Sequence, residues 1–402
     1  MREPTPSFPA DVAVVGGCGH VGLPLSIALA HAGARVVIYD LSDSAVKLVN
    51  DAQLPFDEPG AAPVLERVVA DGRLRASTDP AVVGEAENVV VVLGTPVDEH
   101  LNPDPRAIPR ALHACAEHFR DGQLLVLRST VYPGVTAQVE RMVAGLGVAM
   151  DVAFCPERIA EGKAMVELST LPQIVGARTD RAQERAGALF SRLTDQLVPL
   201  SPEEAELAKL FTNTWRYIKF ATANQLYMMA NDKGLDFERI RRAVIEDYPR
   251  AADLPGAGFA AGPCLLKDTM QLGAFNNNNF TLGHAAMLVN EGLPLYLVAR
   301  LEARHELAQM TVGLLGMAFK AGSDDTRSSL SYKLKRILSF KAGEVLCTDP
   351  YVTTDPALVP LEEVLARADL LIVAAPHEDY RELVTDLPVA DVWGLLGAGV
   401  RI

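Results

Sequence analysis

The chain has 402 residues, a formal net charge of −14 and a hydrophobic fraction of 49%. This length is too great for one ordinary domain, and the composition supports a large core, so an intrinsically disordered chain is excluded. The acidic balance disfavours nucleic acid and anionic membrane surfaces as partners.

Residues 1–10 contain three prolines and no apolar run, which predicts a flexible leader and argues against a signal peptide. No segment reaches the roughly 18 apolar residues that a membrane span requires. The five cysteines, at positions 18, 115, 155, 264 and 347, fit neither a disulfide framework nor a zinc site. We therefore expect a cytoplasmic protein with reduced thiols and no bound metal.

Short β-branched runs alternate with helical stretches over the first half of the chain. Alternation of this kind predicts a parallel sheet that is covered by helices on both faces. The predicted strands are 12–16, 35–39, 89–93, 124–128, 151–154 and 173–176.

A long helix is predicted over 202–231. Ser201 fits the N-cap, Pro202 the first helical position, and Glu204 completes a capping box. No proline or glycine follows until Gly234. Because apolar residues lie on several faces of this helix, we expect it to be buried between domains or subunits.

Strand–helix alternation returns near residue 310, with predicted strands at 311–315, 344–348 and 370–374. The pattern predicts an α/β domain, then a helical domain, then a smaller α/β domain. The predicted boundaries are 1–10 for the leader, 11–199 for the first α/β domain, 200–300 for the helical domain and 301–402 for the second α/β domain.

The first predicted strand is followed at once by a glycine-rich turn, Gly-Cys-Gly-His-Val-Gly, at 17–22. Between a strand and a helix, such glycines allow a tight turn, close approach to a pyrophosphate and close helix packing, and the helix N-terminus attracts the anion. Asp40 lies 18 residues past Gly22, where a carboxylate accepts ribose hydroxyls and repels a 2′-phosphate. NAD⁺ is therefore expected, with FAD or an unrelated glycine turn as alternatives.

Cys264 follows Gly262 and Pro263, and this pair predicts a helix start with the cysteine in the first turn. A thiolate there would be stabilised by the helix dipole, and Asp268 would lie one turn further along the same face. The alternative is a small buried cysteine without chemistry. Lys209 and Asn213 also lie four residues apart on one helix face, and the alternative for Lys209 is a snorkelling surface side chain.

Taken together, these segments resemble the UDP-glucose/GDP-mannose dehydrogenase family, the nucleotide-sugar 6-dehydrogenases. The matching motifs, in chain order, are 17–22, Gly-Thr-Pro at 94–96, Ser-Thr-Val-Tyr-Pro-Gly at 129–134, Pro-Glu at 156–157 with Glu-Gly at 161–162, Ala-Lys-Leu at 208–210 with Asn213, Gly-Pro-Cys at 262–264 with Lys-Asp at 267–268, 316–320, Asp-Thr-Arg-Ser at 325–328, and a closing Asp-Pro-Tyr at 349–351.

The resemblance implies two Rossmann-like domains with doubly wound parallel sheets, joined by a central helical domain that forms a homodimer or a higher homo-oligomer. It also implies an NAD-dependent four-electron oxidation of the C6 alcohol of a nucleotide sugar to a uronic acid. Cys264 would capture the intermediate aldehyde as a thiohemiacetal and then carry a thioester that water hydrolyses.

The same resemblance implies a role for each matching residue. Lys209 and Asn213 would stabilise the oxyanion, and Asp268 would act as a base or orient the water or the thiol. Proton transfer and water positioning would fall to Glu157, Glu161 and Thr130. Cofactor contacts would be Gly17, Gly19, His20, Val21, Gly22, Asp40, Thr95, Pro96, Thr130, Lys267 and Arg327. Substrate contacts would be Glu157, Arg158, Lys209, Asn213, Arg250, Gly262, Phe319 and Lys320, with Arg250 reaching the sugar nucleotide of a neighbouring subunit.

Departures from the family pattern bear on the substrate. Leu266 stands where glucose-type enzymes usually have proline, and the segments 282–285 and 290–294 agree with the N-acetylmannosamine branch. We therefore expect a UDP-N-acetylhexosamine such as UDP-N-acetylmannosamine, with UDP-glucose second and GDP-mannose third. His377 stands at a position where relatives differ, and the sequence does not predict its contacts.

Two other functions stay open at this point. A single-hydride hydroxyacid dehydrogenase of the 6-phosphogluconate dehydrogenase-like class would share the first domain and the long helix, but it would lack the second α/β domain. A non-catalytic protein that binds NAD or a nucleotide sugar is the other, and the joint presence of Cys264, Lys209, Asn213 and Asp268 argues against it.

Overall fold

The computed structural model describes residues 8–95, 97–98 and 103–397. The chain divides into two compact units, with the boundary between Phe211 and Thr212. Of the predicted leader at 1–10, residues 1–7 lie outside the described part, and Ala10 already belongs to the first strand.

The first unit is built from a large sheet and its covering helices. Its strands are β1 (Ala10–Val15), β2 (Val36–Tyr39), β3 (Leu74–Ser77), β4 (Ala86–Val91), β5 (Leu124–Leu127), β6 (Asp151–Phe154), β7 (Gln173–Ala177) and β8 (Leu197–Leu200). Its helices are α1 (Gly22–His31), α2 (Asp43–Asn50), α3 (Ala62–Ala70), α4 (Ala107–His113), α5 (Val135–Gly145), α6 (Ala164–Thr170) and α7 (Asp180–Phe190).

The strand order in this sheet is β3-β2-β1-β4-β5-β6-β7-β8. Its first six strands are parallel and follow the order of dinucleotide-binding folds, as expected. The expectation of an all-parallel sheet is wrong at β7, which pairs with β6 in the antiparallel sense. The connection over residues 155–172 leaves the carboxyl end of β6 and returns to the same edge of the sheet. β7 therefore begins beside the end of β6 and runs in the opposite direction.

The sheet is buried on both faces. Val12 and Val14 of β1 point into one apolar core, and Ala13 and Val15 point into another. This two-sided burial explains why the strands consist of continuous apolar runs, since parallel strands between two helical layers have no solvent-facing side.

The long helix α8 spans Pro202–Asn231, with the predicted bounds. Its capping box is also confirmed: the Ser201 amide donates to the Glu204 carboxylate at 2.8 Å, and the Glu204 amide donates to the Ser201 hydroxyl at 3.3 Å. None of the helices in the described part of the chain combines the length and apolar character that a bilayer crossing requires.

The second unit continues with helices and a smaller sheet. Its elements after α8 are α9 (Phe237–Ile245), α10 (Leu265–Phe275), α11 (Thr281–Glu302), β9 (Thr311–Leu315), α12 (Leu330–Leu338), β10 (Glu344–Thr348), α13 (Leu361–Arg367), β11 (Leu370–Val373) and β12 (Val389–Ala390). The strands are parallel and follow the order β10-β9-β11-β12. Tyr227 of α8 and Leu293 of α11 share one core with Val312 of β9 and Ile372 of β11, so the central helices and the small sheet form one compact unit.

Two buried asparagines fix the segment that leads to α10. Asn224 of α8 brackets Gly258, accepting its amide and donating to its carbonyl, both at 2.9 Å. Asn224 also donates to Asn290 of α11, which in turn donates to the Tyr217 carbonyl. Both asparagine side chains are shielded from solvent, so their polar groups must be satisfied within the protein.

Candidate active site

The glycine-rich turn between β1 and α1 has the geometry that a pyrophosphate requires. A Cβ atom on Gly17 would lie 2.8 Å from Ile38, and one on Gly22 would lie 2.7 Å from the Gly17 Cα, whereas Gly19 faces open space. Val21, the N-cap residue of α1, offers no side-chain hydrogen bond to the helix amides. Tight packing beneath the turn and an open approach above it fit a bound dinucleotide.

Asp40 follows β2 and holds this turn. One carboxylate oxygen accepts the Cys18 amide at 3.0 Å, and the other accepts the Ser42 amide at 3.1 Å. Because each oxygen accepts only one of these amides, both retain capacity for a ribose hydroxyl. His20, within the turn, lies with Nδ1 3.6 Å from Glu161 Oε1 and packs against the Phe56 ring.

The ends of β4 and β5 are joined by Ser129, whose hydroxyl accepts the Leu93 amide at 2.7 Å. This contact brings together the two chain segments that carry Thr95 and Thr130, both half-buried. Pro96, the remaining predicted cofactor contact in these segments, lies outside the described residues.

Glu157 is held by a partner that sequence reasoning missed. The Arg128 side chain, 1% exposed, forms an ion pair with Glu157 and also donates to Gln173 and to the Cys155 carbonyl. The other Glu157 oxygen accepts the amides of Arg158 and Ile159. The only available signal was an arginine at the end of a strongly apolar strand. These contacts fix the Glu157 carboxylate just after the carboxyl end of β6.

Glu161 lies on the same connection, and Glu58 fixes its surroundings. Glu58, 2% exposed, accepts the amides of Gly162 and Ala164 at 3.0 and 2.9 Å. It therefore ties the turn after Glu161 to the start of α6. No short-range pattern linked Glu58 to this site.

Lys209 is buried, with 8% exposure, so the alternative of a snorkelling surface lysine is wrong. One turn before it on α8, buried Glu206 accepts the amides of Gly134 and Thr136 and the Thr136 hydroxyl, at 2.6 to 2.8 Å. Burial raises the pKa of Glu206, although these hydrogen bonds oppose the rise. Glu206 thereby fixes the register of the α8 segment that carries Lys209.

Cys264 is exposed, whereas the other four cysteines are buried, so the alternative of an inert buried thiol is wrong. The predicted position in the first helical turn requires a correction, because Cys264 is the N-cap and α10 begins at Leu265. The helix starts later because the Gly262 amide donates to the Ser328 carbonyl and the φ of Gly262 is +97°. The sulfur still lies at the positive end of the helix dipole.

Asp268 lies one turn beyond Cys264 and is fully buried. Its amide donates to the Cys264 carbonyl at 2.9 Å. Asn213 donates to one carboxylate oxygen at 2.5 Å, and the Lys267 ammonium lies 3.1 Å from the other. Asp268 therefore lies one turn from Cys264, as its spacing predicts. Its carboxylate is fixed by these contacts, and the bond from Asn213 links α10 to α8.

The loop over residues 316–329, which follows β9, contacts the segment that carries the thiol. A Cβ atom on Gly262 would lie 2.7 Å from the Phe319 ring, so the ring covers the backbone two residues before Cys264. Lys320 lies 5.5 Å above the Phe319 ring. Within the second unit, the loop therefore packs against the segment that carries the thiol.

Three predicted arginines have individual environments. Arg327 is half exposed and forms a bidentate pair with Asp325. Arg158 donates to the Pro172 carbonyl, and burial lowers its pKa. Arg250 is exposed after α9 and contacts Tyr248 only 3.4 Å away, so within this chain it lies in an exposed turn.

Family models match three consecutive parts of the chain. The NAD binding domain of the UDP-glucose/GDP-mannose dehydrogenase family matches residues 10–194, its central domain 203–292 and its UDP binding domain 313–397. The UDP-N-acetyl-D-mannosamine dehydrogenase of Pyrococcus horikoshii is 31% identical over 388 residues, which cover 92% of this chain and 90% of that protein. The chain belongs to the UDP-glucose/GDP-mannose dehydrogenase family.

Solved structures agree with this assignment. The UDP-D-ManNAc dehydrogenase of Pyrococcus horikoshii aligns with a TM-score of 0.90 at 27% identity, covering 96% of each chain. A UDP-glucose dehydrogenase of Pyrobaculum islandicum aligns with a TM-score of 0.90 at 28% identity, covering 98% of this chain and 97% of the other. The protein is thus an NAD-dependent nucleotide-sugar dehydrogenase, and the single-hydride hydroxyacid alternative is set aside.

We expect Asp40→Ala to weaken NAD⁺ binding by about tenfold or more, because the ribose loses its acceptor and the glycine turn loses an anchor. Titration calorimetry with NAD⁺ measures the effect, and Asp43→Ala, exposed at the start of α2, is the matched control. Equal affinity of the unsubstituted protein for NAD⁺ and NADP⁺ would contradict the role of Asp40.

We expect Gly262→Ala to lower kcat/KM by about tenfold or more, because the new methyl group meets the Phe319 ring at a positive φ. Initial rates of NADH formation measure the loss. Gly256→Ala, six residues earlier in open space, serves as the control and should retain full activity. An active Gly262→Ala variant would show that the contact between loop and thiol segment is dispensable.

Proposed function

We propose that the protein oxidises the C6 alcohol of a UDP-N-acetylhexosamine, UDP-N-acetylmannosamine foremost, to the uronic acid through a covalent adduct on Cys264. The observation that carries this proposal is the exposed Cys264 thiol at the N-terminus of α10, next to the loop over 316–329. That loop belongs to the part of the chain matched by the family's UDP binding domain.

The chemistry proceeds in two oxidations with the same acceptor. The glycine turn and Asp40 would hold NAD⁺, which would supply the hydride acceptor, with one NAD⁺ consumed and one NADH released in each of the two oxidations. After the first, the Cys264 thiolate adds to the C6 aldehyde and the oxygen gains a proton, which forms a thiohemiacetal. The second oxidation leaves a thioester, and water cleaves its carbon–sulfur bond to release the carboxylate and regenerate the thiol.

Lys209 and Asn213 stabilise the negative oxygen of the tetrahedral species. Burial of Lys209 supports this role, because a charge in a site of low dielectric acts more strongly than one in water. Asp268 is held by Asn213 and Lys267, and it orients the thiol and the water or acts as the base.

Proton transfer falls to Glu161, with Thr130 positioning the water. Glu157, a second candidate for this role, has its oxygens engaged by Arg128 and two backbone amides. We therefore assign Glu157 to positioning the connection that carries Arg158 and Glu161.

Relatives support the order of substrates. The chain resembles a UDP-N-acetyl-D-mannosamine dehydrogenase along nearly its full length, and Leu266 departs from the glucose-type pattern. UDP-glucose is the second candidate, since a UDP-glucose dehydrogenase aligns equally well in three dimensions. GDP-mannose is third.

The test is a panel of UDP- and GDP-sugars scored by NADH release. We expect the highest kcat/KM with UDP-N-acetylmannosamine and two molecules of NADH per molecule of sugar. One NADH per sugar would contradict the covalent mechanism, and no NADH with any sugar would favour a non-catalytic binding protein.

Replacing the nucleophile gives a second readout of the same proposal. We expect Cys264→Ser to lower kcat by about a thousandfold or more while NAD⁺ affinity stays unchanged, because a hydroxyl is a far weaker nucleophile than a thiolate. Iodoacetamide should alkylate one thiol in the native protein and none in this variant. The other cysteines are buried, and burial raises the pKa of Cys18 and Cys155 to about 12 and of Cys115 and Cys347 to about 11.

We also propose that the central helices form a homodimer. On α8, Trp215, Leu226 and Met229 form an exposed stripe at helical spacing, and on α11 Leu288 and Leu295 form a second one. Exposed apolar side chains repeated along one face of a helix are typical of a subunit interface, whereas single exposed apolar residues are common on any surface.

Leu288→Glu combined with Leu295→Glu should shift the protein towards the monomer in sedimentation velocity, because two charges would be buried in the interface. Phe340→Glu, which alters a residue 83% exposed outside these helices, should leave the sedimentation coefficient unchanged. A dimer that survives the double substitution would exclude this surface.

A further inference from the structure

The small sheet of the second unit carries an arrangement that the proposed chemistry does not use. Asp349 follows β10, His377 follows β11, and the loop over 316–329 follows β9. All three therefore lie at the carboxyl ends of adjacent parallel strands, where α/β sheets bind their ligands. Asp349 occupies the position that Asp40 occupies in the first sheet, immediately after the strand beside the loop.

The Asp349 carboxylate, however, points into its own protein. One oxygen accepts the amides of Met317 and Ala318 at 2.6 and 2.9 Å, and the other accepts those of Tyr351 and Val352 at 2.8 and 3.0 Å. Its side chain is 0% exposed. With every lone pair engaged, Asp349 has no capacity for a ribose hydroxyl, in contrast to Asp40.

His377 completes this arrangement and reaches the middle of the loop. Its Nδ1 accepts the Gly322 amide at 3.1 Å, so its Nε2 carries the proton and donates to Asp349 at 3.1 Å. The imidazole is fully buried between Tyr351 and Tyr380. Burial opposes ionisation of Asp349, but the hydrogen bonds from His377, Ala318 and Met317 lower its pKa to about 2.

The loop is thus fixed at three points along its length. Its start is held by Asp349, its middle by His377 through Gly322, and its end by the bond from the Gly262 amide to the Ser328 carbonyl. Phe319 and Lys320 lie between the first two points, and Arg327 lies before the third. Backbone bonds and buried side chains therefore determine where these three side chains are presented.

We propose that His377 and Asp349 are positioning residues for the nucleotide part of the substrate, holding the loop over 316–329 in its binding conformation. This inference rests on the proposed function, because it takes that loop as the nucleotide-sugar contact. It also implies that the acidic residue which reads a ribose in the first sheet has become an internal brace in the second.

Two substitutions separate the bonds of His377. An asparagine side chain can place its oxygen near the position of Nδ1 and keep the bond to Gly322, whereas glutamine can replace Nε2 and keep only the bond to Asp349. We expect His377→Gln to weaken UDP binding by about tenfold and to raise the KM for the nucleotide sugar by a similar factor, because the Gly322 amide loses its acceptor. His377→Asn should change both by less than about threefold.

The readouts are titration calorimetry with UDP and steady-state kinetics on the full chain. In both variants we expect an unchanged KM for NAD⁺ and a kcat within about threefold, since a loop brace acts on nucleotide binding. Ser331→Ala is the control. It removes a different buried polar group of the same unit, a hydroxyl that donates to the Ala374 carbonyl, and should leave UDP binding intact.

Several outcomes would overturn the inference. These are wild-type UDP affinity in His377→Gln, equal weakening in both variants, or loss of folding in both, which would make His377 a general core residue. Failure of the proposed function looks different, because then the unsubstituted protein itself would neither bind UDP nor oxidise a UDP-sugar.

Discussion

Carboxylates that accept backbone amides hold the irregular turns on which this protein's chemistry depends. Amides at the carboxyl edge of a parallel sheet have left the strand ladder, and when shielded from water they need another acceptor. Charge-assisted bonds to a carboxylate meet that need strongly. The pairs are Asp40 with Cys18, Glu58 with Gly162 and Ala164, Glu157 with Arg158 and Ile159, Glu206 with Gly134 and Thr136, and Asp349 with Met317 and Ala318.

This use of carboxylates also explains how an acidic protein can bind an anionic ligand. Part of the net charge of −14 is directed inward onto amides and buried cations such as Arg128. In the proposed function, the amide end of α1 would face the dinucleotide, and Lys320 and Arg327 would be the local cations for the nucleotide sugar. Long-range repulsion is screened within about 10 Å at moderate salt, so these near groups determine binding.

The sequence allowed the prediction of elements that depend on local pattern. β-branched runs located β1, β2, β4, β5, β6 and β7 within a few residues. Capping chemistry located the start of α8, and the absence of proline and glycine before Gly234 located its end. β3 and β8 were missed because both are edge strands without a β-branched run: β3 reads Leu-Arg-Ala-Ser, and β8 is interrupted by Pro199. The predicted position of Cys264 in the first turn of α10 was wrong by one residue. The hydrogen bond between Gly262 and Ser328, which displaces the helix start, joins residues far apart in the chain and could not be predicted from local pattern.

The candidate site shows the same division. Glycine spacing and the acid after β2 predicted the cofactor turn, and the ordered motifs predicted the thiol, Lys209 and Asp268 as site residues. The partners that fix these groups were not predictable, because they are far apart along the chain. Glu58 and Ala164 are separated by 106 positions, and Glu206 and Thr136 by 70. No periodicity in one strand or helix can encode such pairs.

The proposed reacting groups differ in solvent exposure, and the proposed mechanism accounts for the difference. Cys264 is exposed, whereas Asp268, Asn213 and Lys209 are 0%, 4% and 8% exposed. Buried charges cost stability unless they are paired, and a hydrophobic core of equal volume would serve folding as well or better. A chain that keeps a carboxylate, an amide and an ammonium group in its interior therefore sacrifices stability to hold these groups in fixed positions. That trade-off is expected where charge develops during a reaction, because groups that are already oriented need not reorganise in the transition state.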